Sequence, residues 1–183
     1  MLSKKLEKIR ITNVIATSNL KQFVDISKFG DYGWGIYDNE IYGGVCGYVK
    51  TPDMHGKVTV FSNGKMISIG ANSICDSIKQ INTAKFYLLK ENLISDVQLN
   101  VIIQNIVAIL NLNKTLNLQK LYKKLGSLAT YNPDTFAGLI FKRKNKPSCL
   151  IFGSGKIIIA GAKTEKDIVE SSFEVKDLIK GTR

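Results

Sequence analysis

A single histidine, three prolines and three cysteines are spread over 183 residues, and each scarcity removes a class of function. With His55 alone, neither a catalytic dyad nor a histidine-based metal site can be assembled. Cys46, Cys75 and Cys149 are odd in number, far apart and set in apolar stretches. They read as buried, inert thiols of an intracellular chain and not as a disulfide framework. No uninterrupted run of about 18 apolar residues is present to span a bilayer, so no membrane partner is expected. The N-terminus, MLSKKLEKIRITNV, lacks the apolar stretch of a secretory signal. Gly153-Ser-Gly-Lys156 falls short of a phosphate-binding loop, which needs four residues between its glycines and Ser or Thr where Ile157 stands. Gly33-Trp-Gly35 lacks the third glycine of a dinucleotide fingerprint. Without an acid, base, nucleophile or metal constellation the chain reads as a non-enzyme that needs no cofactor. Acidic residues are also scarce, 15 against 26 Lys and Arg, and the formal charge of +11 favours a polyanionic partner.

What the chain does contain is a repeat. ITNVIATSNL at 11–20 matches IIQNIVAILNL at 102–112, placing Asn13 on Asn105 at an offset of 92. YDNEIYGGV at 37–45 matches YNPDTFAGL at 131–139, and FSNGKMISIGANS at 61–73 matches FGSGKIIIAGAKT at 152–164. Such self-similarity decides the architecture. We divide the chain into residues 1–94 and 95–183, each reading strand, short helix, several strands, long helix. The short helices start at Asp25 and Asn117 and end at Gly30 and Gly126. The long helices start at the capping motifs Ser73-x-x-Asp76 and Thr164-x-x-Asp167. Ile74, Ile78, Ile81 and Leu88 recur at helical spacing in the first, up to about Ile94, and Ile168, Val175, Leu178 and Ile179 in the second. GGVCGYVK, KVTVF and KMISIG are short, β-rich and separated by turn residues, so they predict an antiparallel meander. Two meanders joined edge to edge hide two exposed edges. The expected class is α+β: a two-repeat, pseudo-symmetric saddle with one continuous curved antiparallel sheet and helices on its convex face.

An apolar sheet face left open is a candidate binding surface. Asn13 and Asn105 each interrupt an apolar strand, with Ile15 and Val107 two residues on and so on the same face. A buried amide bonded to backbone is the plain alternative for each. At matched positions on an open face, however, Asn can donate to the acceptors that A·T pairs present in the minor groove. Tyr42, Phe61, Phe136 and Phe152 form two matched aromatic pairs that either pack in the core or wedge between base steps. Lys65 and Lys156 follow the two tight turns and are placed to meet phosphates. Trp34 reads as a packing residue.

At these residues the sequence resembles the TATA-box-binding protein family, and the resemblance spans nearly the whole chain. The second copy carries it most closely, through YNPDTFAGLIFKRK and CLIFGSGKIIIAGAK. The resemblance implies a general transcription initiation factor that binds A/T-rich promoter DNA in the minor groove and, like the family, kinks it by aromatic insertion. It assigns intercalation to Tyr42, Phe61, Phe136 and Phe152, and the central amides to Asn13 and Asn105. The apolar floor falls to Ile15, Ile67, Val107, Leu150 and Ile158, and backbone contacts to Lys65, Lys142, Lys156 and Lys163. It further implies docking of the B-type general transcription factor, and through it RNA polymerase, at a segment that here reads Asn132, Asp134 and Thr135. Self-association through the concave face is a further expectation.

The first copy departs from the family pattern. Tyr42 replaces a Phe, Tyr48 stands where an Arg would meet phosphate, and Asn72 replaces a Lys. In the strands of both copies, Ile69, Ile109 and Ala160 stand where the family often has small hydroxylated residues or Thr. Residues 1–94 carry 12 basic and 8 acidic side chains, residues 95–183 carry 14 and 7, so the phosphate grip is expected to be thinner at the first copy. The alternative is therefore a divergent paralogue that keeps the saddle as a protein-interaction module with weak DNA bending. Either implies an intracellular protein, in the nucleoid or cytoplasm of an archaeon or the nucleus of a eukaryote.

Overall fold

The structure, a computed structural model, describes residues 9–180. The first repeat runs β1 (Ile9–Asn19), a 3-10 turn (Ile26–Asp31), β2 (Gly35–Ile36), α1 (Asn39–Tyr42), β3 (Cys46–Val49), β4 (Lys57–Phe61), β5 (Lys65–Ala71) and α2 (Ile74–Lys90). The second runs β6 (Ile102–Asn111), α3 (Leu118–Leu125), a 3-10 turn (Gly126–Leu128), β7 (Ala129–Thr130), β8 (Gly138–Phe141), β9 (Ser148–Phe152), β10 (Lys156–Ala162) and α4 (Glu165–Ile179). The strands of the first repeat lie in the order β2-β3-β4-β5-β1 and those of the second in the order β6-β10-β9-β8-β7, each run antiparallel. The α+β class and the repeated element order are those read from the sequence. By contacts the chain forms two compact units, Asn13–Gln104 and a second running from Asn105 that also takes the chain up to Thr12.

In the unit Asn13–Gln104, burial alternates strictly along β3 and β4, the period-2 signature of a sheet covered on one face. Val58, Val60 and Met66 are fully buried and share one core with Ile81, Ala84 and Leu88 of α2. Helical spacing of apolar residues misplaces part of that helix's inner face, because Ile78 is exposed whereas Ser77 and Gln80 are buried. Their burial is compensated in part: the Ser77 hydroxyl donates to Ser68 Oγ at 3.2 Å, and Ser68 Oγ donates to Gln80 Oε1 at 2.8 Å, while Gln80 Nε2 is buried without a hydrogen-bond partner among the described residues. Hydrogen-bonded polar groups of this kind can occupy a core, and hydrophobic periodicity does not register them.

Helix α2 ends earlier than expected, at Lys90 and not near Ile94. Asn92 adopts φ +55°, its N–H bonds to Leu89 O, and Leu93 N–H reaches back to Leu88 O. This is the paired closure of a Schellman motif, with Asn in the position glycine usually takes. It turns Ile94 into the core, where it is 8% exposed. The first short helix is a 3-10 turn, capped at Asp25 as expected. An unforeseen helix, α1, follows, with Asp38 accepting from Glu40 N and Ile41 N and Gly43 closing it at φ +53°. Trp34 is a packing residue, stacked on Tyr32 at 5.0 Å and against Phe29 and Tyr87.

In the other unit the same plan recurs. β9 and β10 alternate between buried and half-exposed residues, and Ile168, Val175 and Ile179 of α4 are buried. Both long helices are capped at the expected residue. Ser73 accepts from Asp76 N, whereas Thr164 and Asp167 form the full reciprocal box. The cysteine expectation is corrected. Only Cys149 is buried, which pushes its thiol up to about 11. Cys46 lies half-buried on the open side of β3, and Cys75 is exposed, because the second residue of α2 points away from the sheet.

Candidate nucleic-acid interface

Strand register sets side chains of the uncovered sheet face into matched rows. In the unit Asn13–Gln104, Ile36 pairs with Tyr48, Tyr48 with Thr59, Thr59 with Ile67, and Ile67 with Thr17. In the other unit the corresponding row is Thr130, Ile140, Leu150, Ile158 and Ile109. The floor residues Ile67, Leu150 and Ile158 expected from sequence therefore lie in these rows, each half-buried. Ile15 and Val107 stand one step further along β1 and β6. The rows differ in chemistry. The first carries Tyr48, Thr59 and Thr17 where the second carries aliphatic Ile140, Leu150 and Ile109, a difference absent from the sequence reading because Thr17 and Thr59 acquire meaning only through the register.

Each unit also holds one bulge. Between β1 and β5 the register shifts from Val14–Ala71 to Ala16–Ser68, and between β6 and β10 from Ala160–Val107 to Ala162–Ile106. The extra residues include Gly70 at φ +86° and Gly161 at φ +95°, backbone that glycine adopts without penalty. Bulge residues are released from the ladder, and each glycine N–H turns to the nearby Asn instead. Gly70 N donates to Asn13 Oδ1 at 2.8 Å, and Gly161 N donates to Asn105 Oδ1 at 2.9 Å. The two readings of these asparagines are thus both partly realised, since the carbonyl is bonded to backbone while the amino group has no protein acceptor among the described residues.

At the outer end of the second repeat, Phe136 and Phe152 meet edge to face, with centroids 5.8 Å apart and planes at 68°. Phe136 is 38% exposed. Glycine between the two rings is a steric requirement, since a Cβ on Gly138 would lie 2.7 Å from the Phe136 ring and 3.1 Å from that of Phe152. In the first repeat Phe61 is half-buried and paired with Cys46 across β3 and β4. Tyr42 closes α1, and its side chain lies outside the described residues.

Lys65 and Lys156 are exposed immediately after turns whose glycines, Gly64 and Gly155, have φ near +80°. Lys142 and Lys163 are exposed as well, and none of the four forms an ion pair among the described residues. Arg143, next to Lys142, is instead drawn inward to Glu174 and donates to Pro147 O at 3.0 Å. Lys57, missed in the sequence, places its ammonium 3.5 Å from the centre of the Tyr48 ring. A positive charge therefore stands beside Tyr48, which the register matches with Ile140 of the second repeat and not with a basic residue. Asn132, Asp134 and Thr135 form one exposed turn, in which Asn132 Oδ1 accepts from Asp134 N and Asn132 O accepts from Thr135 N and Phe136 N.

The fold and these faces define a two-repeat sheet protein with an uncovered, amide-bearing surface edged by lysines. Comparison with known proteins is specific. The family model for Transcription factor TFIID (or TATA-binding protein, TBP) matches residues 8–90 and again 100–181. The TATA-box-binding protein of Cenarchaeum symbiosum is 39% identical over 166 residues, 91% of each chain. That of Picrophilus torridus is 33% identical over 175 residues, 94% of each. The solved structure of Methanococcus jannaschii TBP superposes with a TM-score of 0.82 at 25% identity, covering 94% of this chain and 98% of that one. The chain belongs to the TATA-binding protein family and is a general transcription initiation factor. The match to both repeats does not favour the alternative of a divergent paralogue that acts as a protein-interaction module with weak DNA bending.

Proposed function

We propose that the protein binds A/T-rich promoter DNA through the minor groove, with the uncovered face of each repeat against one half of the site, and nucleates initiation-complex assembly there. The observation that carries the reading is the matched pair of asparagines, each with its carbonyl tied to backbone and its amino group free. Such a group supplies donors where A·T and T·A pairs alike offer only acceptors. Ile15 and Ile67 in one repeat, and Val107, Leu150 and Ile158 in the other, supply an apolar floor. This floor accepts A·T edges and leaves the exocyclic amine of guanine unpaired. Phe136 and Phe152, with Phe61 and Tyr42 at the other end, act as wedges that unstack base steps and kink the duplex. Lys65, Lys142, Lys156 and Lys163 hold phosphates and Lys57 adds a fifth contact, so the binding constant falls with salt with a log–log slope of roughly −4.5.

The sequence repeats 1–94 and 95–183 act as the two functional halves. The turn of Asn132, Asp134 and Thr135 is the docking point for the B-type general transcription factor and thereby for RNA polymerase. Without DNA, the apolar faces support self-association. The protein works at chromosomal DNA, and the reading assigns it no catalytic step.

The test is affinity and bending measured together, by energy transfer across an end-labelled duplex with a TATA-like element, beside a G·C control, over a salt series. Salt-sensitive binding with a large bend on the A·T duplex alone is expected. Equal, unbent binding to both duplexes would overturn the reading.

A further inference from the structure

We infer that the bulge glycines Gly70 and Gly161 are positioning residues for base specificity: their N–H groups lock the Asn13 and Asn105 amides with the amino group presented outward, which makes each amide a donor that rejects guanine. This inference rests on the minor-groove reading above. An Asn amide has two faces of opposite character, a carbonyl that accepts and an amino group that donates. Free to rotate by half a turn, it would donate to the acceptors of A·T or accept from the 2-amino group of guanine with little difference in energy, and would read nothing. Here rotation is opposed. A backbone N–H can only donate, so a flipped amide would set donor against donor at the 2.8 Å and 2.9 Å separations seen. Both glycine N–H groups are available because both strands bulge at those residues, and the bulge is possible because φ is +86° and +95°. The same bond recurs in two units whose neighbouring side chains differ, so the arrangement does not follow from one local packing accident. A locked donor meets the acceptors of A·T but stands against another donor at a G·C pair.

The inference separates the glycine's N–H from its mere lack of a side chain, and the test does the same. Replacing the Ala160–Gly161 amide by an ester, with glycolate in place of Gly161, removes the N–H and adds no Cβ. Gly161 N donates to Asn105, and the register gives Gly161 no ladder partner across β6 or β9, so the sheet is left intact. The ester oxygen accepts, so the Asn105 amino group turns inward and its carbonyl outward.

The readout is binding to duplexes in which single pairs of an A/T-rich element are replaced, step by step, by G·C or by inosine·C, which differ in the minor groove only by the 2-amino group. The unaltered protein is expected to prefer inosine·C over G·C by at least tenfold at one or more steps. The ester protein should lose most of that preference at the step Asn105 reads, while Asn13 keeps its own. Asn105→Asp gives a second route. It retains an acceptor for Gly161 N–H, presents an oxygen outward, and should reduce the same ratio whatever its overall affinity. An unaltered protein that discriminates, with ester and Asp variants that discriminate equally well, overturns the inference and leaves the minor-groove reading standing. An unaltered protein indifferent to the 2-amino group overturns both.

Discussion

Replacing Phe136 with Ala should separate DNA bending from stability, because the ring is only partly committed to the fold. Phe136 is 38% exposed and touches Phe152 edge-on at 5.8 Å. Full burial of such a side chain contributes about 1.5–3 kcal/mol, of which the buried part of this ring retains about 1–2 kcal/mol. Loss of the aromatic pair adds about 0.5–1 kcal/mol. The expected destabilisation is thus about 2 kcal/mol, or a fall in Tm of roughly 4–8 °C for a chain of this size. Phe141, three residues beyond Gly138 and 1% exposed, is the control, since Phe141→Ala should cost about 3–5 kcal/mol. Calorimetric melting and energy transfer on the end-labelled duplex are measured on both variants. Phe136→Ala should abolish most of the bend with the smaller loss of Tm, and Phe141→Ala should leave the bend of still-folded protein unchanged with the larger loss. Equal losses of bend and Tm in the two variants, or a Phe136→Ala protein that bends DNA normally, would refute the wedge assignment and return the ring to the core.

Lys156→Ala, which removes one phosphate contact, should reduce the salt slope by about one and weaken all duplexes alike, which filter binding over a salt series reads directly. Gly70→Ala should lower Tm more than Gly161→Ala. Both meet the unfavourable φ, but the added Cβ lies 2.9 Å from Gly56 Cα in the first case and 3.9 Å from Pro147 Cα in the second. The capping box of α4 predicts a pH effect. Hydrogen bonds from the Lys163 and Thr164 backbone hold Asp167 below its ordinary 3.8. A depressed carboxylate contributes stability that is complete above the unfolded value and is lost as pH falls through the folded one. Asp167→Ala should therefore cost about 0.5–1 kcal/mol at neutral pH, and the difference in denaturant midpoint should shrink as pH falls below the ordinary carboxylate value and through the lowered folded one.

Much of this was legible in the sequence because repetition doubles every weak signal. One mid-strand Asn is unremarkable; Asn13 and Asn105 at one offset, with Gly70 on Gly161 and Phe61 on Phe152, are not. Turn chemistry located the ends of β4, β5, β9 and β10, and N-cap residues located α2, α3 and α4. What escaped detection depends on register or on polar burial. Ser77 and Gln80 face the core because Ser68 reaches them across the sheet, so the stripe read through Ile78 was displaced. Thr17, Thr59 and Lys57 join the candidate surface only when β1, β3, β4 and β5 are aligned, and the role of Gly70 and Gly161 depends on bulges that no spacing reveals. The helix α1 was not foreseen, although Asp38 can cap a helix and Gly43 can end one within six residues.

The most direct test is a whole-element substitution. Changing every A·T pair of a TATA-like duplex to inosine·C preserves the minor-groove acceptors and gives the major groove the pattern of G·C. The account predicts that the protein binds the inosine·C element within a few-fold of the A·T element and bends it similarly. Affinity that collapses to the level of G·C would mean that the major groove is read, and would contradict the central claim.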